Sequence, residues 1–137
     1  MHAAHPLAAS LQVALGGALG AVLRYQTGGA VARWLGPSAA AAFPWATLAV
    51  NVTGSFAMGL LAGWLARHDG AEGWRLLLGV GLLGGFTTFS TFSLDAALLW
   101  EGNRPGAAAG YVAVSVAASV GAGVAAGADS AISFLLR

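Results

Sequence analysis

The sequence predicts an all-α membrane protein with four transmembrane helices and a break in the third. Three observations carry this. Charged residues make up 8% of the 137-residue chain and hydrophobic residues 58%, with a mean hydropathy of +0.76; a soluble domain carries roughly 25% charged residues. Charge-free stretches cover residues 1–23, 34–66, 76–94 and 105–128, each near the ~20 residues a helix needs to cross a ~30 Å hydrocarbon core. The third stretch holds a glycine pair followed by a run of hydroxyls, which weakens a helix in its middle.

The chain is expected to be a single domain, 1–137, with spans near 8–31, 45–66, 74–100 and 106–128. The first span holds one charge, Arg24. A cleaved signal peptide is the other reading of this segment, but its n-region would be basic, and Met1 to Pro6 holds only His2 and His5. Gly36-Pro37-Ser38, His68 to Gly73 and Glu101 to Pro105 separate the spans, since Pro and Gly punctuate helix ends. Nothing is left for a soluble domain, so the active parts lie in the membrane or at a subunit interface. A bacterial-type inner membrane is the default location, with lipid as the surrounding partner.

Cytoplasmic loops usually collect Lys and Arg. Arg33 and Arg104 fall on one side, Arg67, Arg75 and Arg137 on the other. The near balance is either noise in a small count or the mark of a chain that inserts both ways up, which would permit an antiparallel homodimer. The 21 Gly allow close helix contact. Six Gly-x-x-x-Gly pairs, such as Gly16/Gly20 and Gly81/Gly85, occur; this glycine content gives roughly three by chance, so the pattern is a weak dimer signal.

Composition also excludes functions. A net charge of +1 offers no electrostatic grip on nucleic acid. There is no Cys, no metal-ligand spacing and no nucleophile–base pair, so an enzyme is not expected. No Glu lies within a span, leaving Asp95 as the only ionisable relay of the kind a proton-coupled transporter needs.

Polar groups inside a membrane are costly and point to function. In the third span, five of the seven residues from Thr87 to Ser93 carry hydroxyls, after Gly84-Gly85. A break near Gly84–Thr88 is expected; its free carbonyls would suit a hard cation such as Na⁺. The other reading is a glycine packing face with hydroxyls bonded to their own helix. Phe89 and Phe92, three apart, share a helix face, and their positive ring edges would favour an anion; they could equally face lipid. Asn51 is either an interhelical hydrogen bond or an ion-solvating amide. Tyr111, Ser115 and Ser119 are spaced four and four and form a hydroxyl track or plain small-residue packing. Arg24 is expected to snorkel, to bind loose carbonyls or to draw in anions; Asp95 is expected to pair with an Arg.

These segments resemble the Fluc (CrcB) fluoride channels. Gly16 to Tyr25, reading GGALGAVLRY, is similar to that family's first-helix motif, and Thr47 to Phe56, TLAVNVTGSF, to its second. Gly84 to Phe92, GGFTTFSTF, is similar to its third and most specific. The spacing of Tyr111, Ser115 and Ser119 agrees with the fourth helix. Ala46, Leu83, Asp95 and Gly123 depart from the usual Gly, Cys, Glu and hydroxyl residue.

The resemblance implies passive fluoride export by a dual-topology antiparallel homodimer with two fluoride paths along its interface. It implies a structural, untransported Na⁺ at the centre, held by the backbone carbonyls of Gly84 and Thr87 of each subunit. Phe89 and Phe92 would line the path beside Thr88, Asn51, Tyr111, Ser115 and Ser119 would belong to it, and Arg24 would face a vestibule. A small multidrug-type transporter and a non-transporting assembly subunit are the alternatives.

Overall fold

The computed structural model describes residues 6–135, with side-chain surroundings through residue 127; His2 and His5 lie outside them. Every regular element among the described residues is helical. Helix α1 spans Pro6–Leu35 and a short α2 spans Pro37–Ala42. Helix α3 spans Trp45–Leu65, and α4 is one turn, Glu72–Trp74. A π-helical segment, Arg75–Leu83, continues into α5, Gly84–Phe86. Helices α6, Phe89–Glu101, and α7, Pro105–Leu135, complete the chain. Among the described residues, four stretches are long and apolar enough to cross a membrane: Pro6–Leu35, Trp45–Leu65, Glu72–Glu101 and Pro105–Gly127.

The first and third stretches run past the expected 8–31 and 74–100, while the second stops one residue short of the expected 45–66. At ~1.5 Å per residue, α1 is about 45 Å long, more than the hydrocarbon thickness, so it tilts or projects. Two features differ from the expectation. The linker at Gly36-Pro37-Ser38 opens into a helix: Pro37 takes the first helical position, where its missing N–H costs nothing, and four alanines follow. Gly36 turns the chain with φ +82°, a conformation that favours glycine. The third span, moreover, begins as a π-helix, in which the Gly84 N–H reaches the Gly79 carbonyl. Such wide turns are rare and cluster at functional sites.

Close backbone contact holds α1 to the first half of the third span. A Cβ on Gly16 would overlap the Leu77 carbonyl oxygen, and one on Gly20 the Leu82 carbonyl oxygen. From the other side, a Cβ on Gly85 would lie 2.6 Å from the Gly17 oxygen. Gly16/Gly20 and Gly81/Gly85 therefore face each other, whereas Gly106 and Gly110 meet nothing. Gly20→Leu is expected to destabilise the fold by about 3 kcal/mol or more, because backbone must move to admit it; a thermal melt of the purified protein checks this.

The second half of the third span leaves α1 and packs on α7, which also packs along α3. Between α6 and α7 lies a core of Leu99, Ala108 and Tyr111, covered by Phe43, Leu48 and Phe92. Leu7, Leu11, Leu15, Leu19 and Leu23 on α1 are exposed, as apolar side chains on the outside of a membrane span can be. The two halves of the third span thus have different partners, and the break between them sits where those packings meet.

Candidate functional site

The break is made by Thr87 and Thr88, both extended (φ −77°, ψ 157° and φ −149°, ψ 115°). It falls within the expected interval. Thr88 caps α6, its Oγ1 accepting from the Thr91 N–H at 3.1 Å, as a threonine at a helix N-terminus does. The same Oγ1 meets Thr91 Oγ1 at 3.0 Å and Ser90 Oγ at 3.2 Å. Thr87 Oγ1 donates back to the Leu83 carbonyl, and Ser93 Oγ to the Phe89 carbonyl. The hydroxyl run therefore divides: Thr87 and Ser93 serve their own helix, while Thr88, Ser90 and Thr91 form a network at the break.

Asn51 grips the opened backbone from α3. Its Oδ1 accepts the Thr88 N–H at 2.8 Å and its Nδ2 donates to the Thr88 carbonyl at 3.0 Å. The amide replaces a peptide partner in both directions, which unwound backbone at membrane depth requires. One Nδ2 hydrogen remains for another acceptor. Arg24, half-buried, binds a freed carbonyl, one of its expected roles: its Nη1 donates to the Thr87 carbonyl at 3.1 Å.

Two hollows meet at this break, and Thr88 lines both. The first, about 660 Å³, is an open groove between α3, the break and α7. It brings together Asn51, Thr87, Phe89, Phe92, Ser115 and Ser119, and among the described residues no ionisable side chain lines it. The Phe89 and Phe92 rings are 5.4 Å apart, with Phe89 78% exposed. Ser115 is buried, and its Oγ has no hydrogen-bond partner among the described residues. The second hollow, about 690 Å³, is lined by Arg24, Arg33, Thr47, Thr88 and Thr91 among others.

Tyr111 lies behind the groove, fully buried, 5.3 Å ring to ring from Phe92. Its hydroxyl donates to Asp95 Oδ2 at 3.3 Å, and Thr47 Oγ1 donates to the same oxygen at 2.6 Å. In place of the expected Arg partner, Asp95 has two hydroxyl donors, both on Oδ2. The sequence reading missed Thr47 in this role; a hydroxyl in the first turn of a span was its only signal. Thr47→Val is expected to cost about 1–3 kcal/mol, since it strips a strong donor from a partly buried anion; the shift in melting temperature measures it.

The carbonyls expected to hold Na⁺ can be tested against the break. In an unbroken helix the Thr88 N–H would serve Gly84 and the Thr91 N–H would serve Thr87. Here the first goes to Asn51 and the second to Thr88 Oγ1. Gly84 and Thr87 therefore lose their helical donors, and the Thr87 carbonyl accepts from Arg24 instead. Both are hard oxygens, and by donor type alone the residues fit Na⁺. The described residues contain no cluster of His, Cys, Asp or Glu for a softer metal.

Residues 11–128 match the family described as CrcB-like protein, Camphor Resistance (CrcB). A relative from Erythrobacter litoralis (strain HTCC2594), named fluoride-specific ion channel FluC, is 55% identical over 112 residues, 80% of this chain and 82% of the relative. A second with that name, from Rhodospirillum centenum (strain ATCC 51521 / SW), is 61% identical over 107 residues, covering 77% and 81%. A third, from Novosphingobium aromaticivorans, is 55% identical over 109 residues, covering 80% and 85%. All carry the name of an ion channel, not of an enzyme. With four apolar spans and bacterial relatives of this kind, the protein is a multi-pass protein of the inner membrane. Its sequence across nearly all of the four spans places the chain in the CrcB family.

Proposed function

We propose that this chain is the subunit of a fluoride-selective channel that lets fluoride leave the cytoplasm passively. The carrying observation is the groove: an amide, five hydroxyl residues and two phenyl rings line it, with no ionisable side chain among the described residues. Fluoride is small and tightly hydrated, so passage needs closely spaced donors that replace water. Fixed positive charge along the whole path would trap it, and conduction requires binding weak enough to release. The spare Nδ2 hydrogen of Asn51, the Ser115 and Ser119 hydroxyls and the positive ring edges of Phe89 and Phe92 meet both demands. A membrane potential negative inside drives an anion outward by ~2.3 kcal/mol per 100 mV.

The groove opens outward, and the Phe89 ring on its rim is exposed. A second copy would close it. With arginines nearly balanced between the two sides, this reading makes the assembly an antiparallel, dual-topology homodimer with two paths. The carbonyls of Gly84 and Thr87 from each subunit would hold one Na⁺ at its centre, where the ion neutralises backbone dipoles and locks the breaks together.

Efflux from liposomes containing the purified protein tests this, with a fluoride electrode and chloride as the paired control. Rapid fluoride release without chloride release is the expected result. Release of neither ion from folded, dimeric protein would sink the channel reading.

A further inference from the structure

One side chain, Arg24, joins the Thr87 carbonyl oxygen at the break to the second hollow, which it lines. Having lost its helical donor, this oxygen accepts from Arg24 Nη1 at 3.1 Å. The guanidinium keeps its charge in any protein environment. Among the described residues no carboxylate lies within 4.0 Å of it, the single ion pair there being Arg75–Glu72. Arg33 lines the same hollow. So one positive charge already occupies a lone pair of the oxygen expected to bind Na⁺.

A carbonyl oxygen has two lone pairs and can serve both cations. They would nevertheless sit only a few ångströms apart in a half-buried place where like charges repel far more strongly than in water. We propose that Arg24 is a tethered competitor that holds down the Na⁺ affinity of the central site while keeping the Thr87 carbonyl aimed when no Na⁺ is bound. Arg24 also lines the second hollow, so in this reading one side chain links the cation site to the anion entrance. The inference rests on the sodium reading above and adds to it a residue that tunes the affinity.

The test is Na⁺ binding by the purified full-length protein, prepared in choline buffer and followed by equilibrium dialysis against ²²Na⁺. Arg24→Gln and Arg24→Met both remove the charge; Gln retains a donor and Met the stem. Each is expected to bind Na⁺ about tenfold or more tightly than wild type, since a nearby like charge has gone. Arg24→Lys keeps a charge on a similar stem and is expected to stay within about threefold of wild type. Neutral variants that bind Na⁺ no more tightly than wild type overturn the proposal. Equal weakening in all three variants, which a purely packing role would give, overturns it too. Wild-type protein that binds no Na⁺ removes the sodium reading and this inference together, while fluoride efflux in Na⁺-free buffer separately decides the channel reading.

Discussion

Asn51→Asp is expected to lower fluoride flux by about a thousandfold or more in protein that still folds. The substitution keeps the shape and one of two bonds: a carboxylate oxygen can still accept the Thr88 N–H, as Asn51 Oδ1 does at 2.8 Å. It cannot donate to the Thr88 carbonyl, which now receives Nδ2 at 3.0 Å, and it sets an oxygen lone pair against that carbonyl instead. It also puts a negative charge on the wall of an anion path. Two like unit charges 4 Å apart repel by ~4 kcal/mol at an effective dielectric of 20, and each ~1.4 kcal/mol on a barrier is tenfold in rate. Asn51→Ala is the control: it leaves both Thr88 groups unpaired, at about 1–3 kcal/mol each, but adds no charge. It should melt lower than Asn51→Asp and conduct better. Efflux from liposomes at matched protein content, beside a melt of each variant, measures both. Wild-type flux through Asn51→Asp would mean that this amide is not on the path.

That both ends of this contact were legible in the sequence follows from cost. An amide in hydrocarbon and a glycine pair before a hydroxyl run are each expensive in a membrane, so each marks a place where something compensates. What the cost argument does not reveal is the partner. Asn51 and Thr88 are 37 residues apart, and Arg24 and Thr87 are 63 apart; which residues meet depends on how each helix is rotated and raised against its neighbour. The carboxylate of Asp95 shows the same limit. Its burial was visible as a charge within a span, but the choice of Thr47 and Tyr111 over an arginine was set by packing.

Periodicity misleads in a more specific way at Tyr111. Spacing of four places Tyr111, Ser115 and Ser119 on one side of α7, yet each step of four turns the helix by ~40° beyond a full rotation. Over eight residues this drift separates the first from the last. Tyr111 consequently packs into the core behind Phe92, while Ser115 and Ser119 reach the groove. The glycine pattern is uninformative for a related reason: Gly106 and Gly110 have the same spacing as Gly16 and Gly20, but only the latter face another backbone. The π-helical stretch before the break left no mark in composition or period.

Phe92→Leu and Phe89→Ala are expected to lower fluoride flux by about ten- to a hundredfold, for one reason and with different side effects. Each removes a ring edge, and a positive edge aimed at an anion is worth on the order of 1 kcal/mol or more once water is excluded. Phe92 is half-buried, 5.3 Å from the Tyr111 ring and tilted 42° to it. Truncation to Ala there would open a cavity costing about 3–5 kcal/mol, confusing loss of fold with loss of function. Leu keeps most of the volume and should cost less than about 1.5 kcal/mol. Phe89, 78% exposed within one chain, tolerates Ala without a cavity of its own, so its loss of flux should come with little change in the melt of a single subunit. If flux instead tracked stability across Phe92→Leu, Phe92→Ala and Phe89→Ala, the rings would be packing and no more. If flux falls in both variants while the fold holds, the rings act on the ion.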